Sequence, residues 1–142
     1  MDEKRSVADT ANGWNLILVN DDYYVSEDYK VELWELQNGE KVDARIYPYL
    51  QEMFESAKKE EIYMIVADGY RSNEEQQEIM EDKIDEYEEK VLLRFLAKHM
   101  AERWVAVPGT SEHQLGLAVD INADIYNYGW EVYNWLEKNA HE

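Results

Sequence analysis

In the stretch PGTSEHQLGLAVDI, Pro108–Ile121, an imidazole at His113 and a carboxylate at Asp120 bracket a run of small and apolar residues. Both groups bind metals. If LAVDI is a strand, its side chains alternate between two faces. Leu117, Val119 and Ile121 then point into a core, while Ala118 and Asp120 take the other face and Gly116 leaves the backbone open. His113, on the loop before the strand, can fold over that cleared face. One imidazole and one carboxylate are two-thirds of a zinc shell that keeps a position for water. A lone loop histidine also has a plainer reading, a surface or hydrogen-bonded side chain, and spacing alone does not choose between them.

These groups need elements to position them. WNLILVN (Trp14–Asn20) and KVELWEL (Lys30–Leu36) read as short strands, followed by a tight turn at NGE, Asn38–Glu40. Ile46, Leu50, Met53, Phe54 and Ala57 recur at helical spacing, with Pro48 tolerated near the start. IYMIVA (Ile62–Ala67) reads as a buried strand ended by Asp68 and Gly69. The spacing predicts one long helix from Asn73 to about Met100, with Ile79, Met80, Ile84, Tyr87, Val91 and Phe95 as its apolar stripe. Its acidic runs form a solvated face. Pro108 and Gly109 open the His113 loop, and Trp130–Ala140 begins a last amphipathic helix. Strands and helices mix without regular alternation, so the fold class is α+β.

At 142 residues the chain is expected to form a single domain over 14–142 behind a loose lead-in at 1–13. Its formal charge of -18 argues against nucleic-acid and anionic membrane partners, which are gripped by Lys and Arg. No cysteine is present, which excludes disulfides, thiolate catalysis and Cys-based zinc sites. The N-terminus is polar, with neither signal-peptide character nor a transmembrane span expected anywhere.

SEHQLGLAVD matches Ser-x-His-x-x-Gly-x-Ala-x-Asp at Ser111, His113, Gly116, Ala118 and Asp120. GYRSNEEQ, Gly69–Gln76, supplies a second block with Arg71 and Gln76. Together these blocks resemble the zinc D-alanyl-D-alanine carboxypeptidases of vancomycin resistance and bacterial cell-wall trimming. WNLILVN, VDARIYPYLQEMF and WLEKNAH also resemble that family, so the similarity runs from Trp14 onward. The resemblance implies a mostly antiparallel sheet flanked by helices, as in the Hedgehog signalling domain. It implies His113 and Asp120 as zinc ligands, Arg71 as the guanidinium facing the scissile carbonyl, and Gln76 and Ser111 as holders of the terminal D-alanine. The expected partner is a peptidoglycan stem peptide, at an extracytoplasmic, wall-facing location. For Arg71 the plainer alternative is a surface ion pair.

The resemblance also implies a second zinc histidine and a base glutamate beyond the last helix, whereas this chain stops at Ala140-His141-Glu142. The expectation is a C-terminally incomplete member, lacking the last strands and open at a sheet edge to dimerisation or strand exchange. His141 and Glu142 are poor stand-ins, because both sit on one terminal turn in the wrong order. His99 reads as a helix C-terminal residue serving the dipole. Two rival functions stand beside hydrolysis. One is a non-catalytic D-alanine-peptide binder keeping Arg71, Gln76 and Ser111. The other is calcium binding by 120–131, with Asp120, Asn122, Asp124 and Glu131 spaced as in an EF-hand loop. The second rival suffers from Ile125 where the turn glycine belongs and from a strand where a helix should precede.

Overall fold

In this computed structural model the described residues are 5–90, 93–123 and 128–140. In chain order the elements are β1 (Ser6–Val7), β2 (Tyr23–Tyr24), β3 (Leu33–Glu35), β4 (Lys41–Asp43), α1 (Tyr47–Lys59), β5 (Met64–Asp68), α2 (Asn73–Glu88), α3 (Arg94–Ala101), a 3₁₀ turn (Glu112–Leu115), β6 (Asp120–Ala123) and α4 (Gly129–Asn139). The class is α+β as expected, but the strands form three separate two-stranded sheets, not one. The chain divides into two compact units. The first is Met1–Lys30 with Arg71–Leu115, the second Val31–Tyr70 with Gly116–Glu142.

In the first unit, α2 starts on a capping box. The Ser72 hydroxyl accepts the Glu75 N–H at 3.1 Å, and the Glu75 carboxylate accepts the Ser72 N–H. Glu74 and Glu75 place negative charge where the helix dipole is positive. The expected long helix is two helices. Met80 and Ile84 of α2 bury against Ala97 and Ala101 of α3, flanked by Tyr87, Val105 and Val107. An unbroken helix would leave that stripe uncovered, whereas the break brings small alanines onto it, with burial gaining about 1.5–3 kcal/mol per large side chain. Arg94 at the start of α3 reaches Glu81 at 2.6 Å and Glu88 at 3.0 Å on α2. Phe95, expected in the stripe, is 69% exposed, and Val91 lies outside the described residues.

The expected strand Trp14–Asn20 does not form. Leu16 and Leu18 face solvent and only Val19 is buried. Instead the Asn20 side chain accepts the N–H groups of Asp22 and Tyr23 and turns the chain. That turn delivers β2 to β1, a parallel pair with Ser6 opposite Tyr23. Part of the expected lead-in at 1–13 is therefore paired, and Ala8 is buried.

In the second unit, β3 and β4 form an antiparallel hairpin over the Asn38–Glu40 turn, where Gly39 adopts φ +87. α1 carries Pro48 in its first turn, where a missing N–H costs nothing. β5 and β6 pair antiparallel with Val66 opposite Ile121, and the register is interrupted between Val66 and Asp68. Two apolar clusters fill this unit. Ala57, Met64, Val132 and Trp135 make one, with Ile121 against them; Val42, Leu50 and Val66 make the other, with Val119 against them. Val119 and Ile121 thus turn inward as the alternation predicts. The strand itself begins only at Asp120, opposite Asp68, where β5 ends.

Candidate functional site

The sequence-predicted site residues divide between the units: Arg71, Gln76, Ser111 and His113 belong to the first, Asp120 to the second. Within the first unit the two motif blocks are hydrogen-bonded to each other. The Arg71 backbone N–H donates to the His113 carbonyl at 3.1 Å. Arg71 Nη1 donates to Gln76 Oε1 at 3.2 Å, and Gln76 Nε2 donates to the Ala106 carbonyl at 2.9 Å. The capping box explains this placement. It fixes where α2 begins, so Arg71 lies just outside the helix and Gln76 lies inside its early turns.

Gln76 is only 1% exposed, and its amide is engaged at both ends. Expected as a holder of substrate, it holds Arg71 in this structure. Ser111 is buried, and its hydroxyl oxygen accepts the His113 N–H at 3.3 Å. His113 itself is half-buried in the 3₁₀ turn.

Two residues that the sequence reading missed complete this network. Gln114, buried, accepts the Gly109 N–H at 2.7 Å and reaches Asn73 Oδ1 at 3.5 Å. Thr110, also buried, donates its hydroxyl to the Val107 carbonyl at 2.6 Å. Both occupy positions that the motif leaves unspecified or lie just before it, so only a polar residue inside a tight loop could have signalled them.

In the second unit Asp120 opens β6, exposed, with Asp68 as its partner in register. The burial along β6 alternates, Asp120 and Asn122 outward and Ile121 and Ala123 inward. Gly116 sits against β4: its carbonyl accepts the Asp43 N–H at 2.8 Å. A Cβ there would come within 3.0 Å of that same nitrogen, so both the conformation and the approach require glycine.

Calcium coordination by 120–131 is not supported. Asn122 is a strand residue whose Oδ1 accepts the Ala123 N–H, and the Glu131 carboxylate caps α4 by accepting the Tyr128 N–H at 2.8 Å. The segment itself opens as β6 and no helix runs directly into it, while Asp124 and Ile125 lie outside the described residues. His141 and Glu142 lie outside them as well. His99 occupies the last turn of α3, as its reading as a dipole partner expects. Among the described residues no three His, Cys, Asp or Glu side chains group together to hold a metal.

A family model described as VanY, D-alanyl-D-alanine carboxypeptidase, matches residues 39–142. The chain is 57% identical over 129 residues to a D-alanyl-D-alanine carboxypeptidase of Enterococcus faecalis, covering 90% of this chain and 48% of that protein. It is 56% identical to the solved structure of VanYB in complex with D-alanine-D-alanine, with a TM-score of 0.86 over 91% of this chain and 72% of that one. A mutant of the vancomycin-resistance D,D-pentapeptidase VanY from a VanB-type cassette, in complex with Zn(II), gives a TM-score of 0.85 at 56% identity, covering 91% and 73%. The chain spans about half the length of the curated relatives it matches.

Proposed function

Because the chain belongs to the VanY family of D-alanyl-D-alanine carboxypeptidases, we propose that it carries the substrate-facing part of a zinc-dependent hydrolase. The hydrolase removes the terminal D-alanine of a peptidoglycan stem peptide. The relatives bound to D-alanine-D-alanine and to Zn(II) support this reading. The observation that carries it is the hydrogen bond that joins the two motif blocks, Arg71 to His113, with Gln76 of the same block as Arg71 holding its guanidinium.

His113 and Asp120 are donors of the kinds zinc takes, one nitrogen and one oxygen, and would be two of the three protein ligands of a catalytic site. Zinc, when bound, polarises the scissile carbonyl and acidifies its water. Arg71 holds a fixed positive charge where the carbonyl oxygen becomes negative, and fixed charge acts most strongly where charge develops. Gln76 keeps the guanidinium from swinging away. The Ser111 oxygen accepts the His113 N–H, which leaves its own hydroxyl proton for the carboxylate of the departing D-alanine. Such a substrate sets the working enzyme at the cell wall. No helix among the described residues is long and apolar enough to cross a membrane.

The test is D-alanine release from a pentapeptide ending in D-Ala-D-Ala, with zinc supplied. Arg71→Ala is expected to lower kcat roughly 10²–10³-fold, the usual loss on removing an oxyanion partner. Unchanged release in Arg71→Ala contradicts the role.

A further inference from the structure

A buried carboxylate stands outside the motifs. Asp43 closes β4 at 1% exposure. Arg45 grips it from the backbone and the side chain: its N–H reaches Oδ1 at 2.8 Å, Nε reaches Oδ1 at 3.0 Å, and Nη2 reaches Oδ2 at 2.6 Å. Burial pushes the Asp43 carboxyl up, but the hydrogen bonds and charge of Arg45 outweigh it and hold the group below its ordinary range.

The backbone of Asp43 does two further jobs. Its carbonyl accepts the Ile46 N–H at 3.0 Å where α1 begins, and its N–H donates to the Gly116 carbonyl at 2.8 Å. Gly116 begins the segment that ends at Asp120. From there Val119 packs on Val42, Leu50 and Val66, and Asp120 enters β6 opposite Asp68. The segment is therefore held at its start by Asp43 and at its end by β5.

We propose that Asp43, clamped by Arg45, is a positioning residue that sets the Gly116–Asp120 segment and through it the Asp120 carboxylate. This rests on Asp120 being a zinc ligand. The turn needs a carboxylate here because a single acceptor group must face three donors of Arg45 while its own N–H stays aimed at Gly116. Charge-assisted bonds of this kind are the shorter and stronger class. A neutral amide of the same shape offers one acceptor oxygen and turns a donor toward the guanidinium.

The experiment measures zinc affinity by competition with a chromophoric chelator, together with hydrogen exchange at the Asp43 amide. It uses the whole chain as wild type, Asp43→Asn, Asp120→Ala and Ile84→Ala. Asp43→Asn is expected to weaken zinc about tenfold, at the lower end of losses seen when residues supporting ligands are changed. Exchange at residue 43 quickens in parallel. Ile84→Ala, which loosens the core between α2 and α3 and lies outside the cluster on which Val119 packs, keeps its zinc affinity. Wild-type affinity in Asp43→Asn beside loss in Asp120→Ala overturns the inference alone. So does an equal loss in Ile84→Ala, which makes the role one of general stability. Intact zinc binding in Asp120→Ala removes the premise and overturns both.

Discussion

The two units prepare their site residues by different means. In the first, the site half is held by side chains: Gln76, Thr110, Ser111 and Gln114 are all buried polar residues, and each has a hydrogen-bond partner. In the second, Asp120 is exposed, and the backbone holds it, through strand pairing and the Gly116 carbonyl, above two apolar clusters. The difference predicts different sensitivities. A buried polar side chain that loses its partner leaves an unsatisfied group, so the first half depends on chemistry at single atoms. The stability of the second depends on volume, because two apolar clusters fill it.

The largest expected effect on stability lies in the second unit. Trp135 is buried against Ala57, Met64 and Val132, and its indole N–H donates to the Glu60 carboxylate. Trp135→Ala is expected to cost about 3–5 kcal/mol in urea unfolding, the range for deleting a large aromatic from a core. A loss under about 1 kcal/mol, the range of a volume-conserving swap, would break the claim that packing anchors this half. A smaller stability effect with a sharper functional one is expected in the first unit. Gln76→Leu fills the same space but abandons Arg71 Nη1 and the Ala106 carbonyl, at about 1–3 kcal/mol. D-alanine release should nonetheless fall by at least tenfold, about 1.4 kcal/mol in the barrier, as the guanidinium of Arg71 loses its bond to Gln76. If Gln76→Leu loses stability and keeps its release rate, Gln76 is scaffold only and the comparison fails.

Much of this was legible. The alternation after Gly116 correctly turned Val119 and Ile121 inward and Asp120 outward, because a period of two survives in even a short strand. The helical spacing of Leu50, Met53 and Ala57 located α1, and Trp130–Ala140 located α4 to within a residue. The break between α2 and α3 was not legible. No Gly or Pro marks residues 89–93, and the apolar spacing runs on through Tyr87 to Phe95. Ala97 and Ala101 acquire meaning only when set against Met80 and Ile84, which is tertiary information. β1 and β2 are two residues each, too short for periodicity to register. At the site, motif spacing singled out Arg71 and His113, whose backbones are hydrogen-bonded to each other, but the ties of Asp43 to Gly116 and of Gln114 to Asn73 join residues distant in sequence that nothing local marks.

Zinc content per chain, determined by elemental analysis of purified protein, tests the central claim most directly. His113 and Asp120 acting on one ion predict that wild type and Asn122→Ala take up zinc, while His113→Ala and Asp120→Ala do not. Equal zinc in all four proteins, or equal loss in Asn122→Ala and His113→Ala, would contradict it.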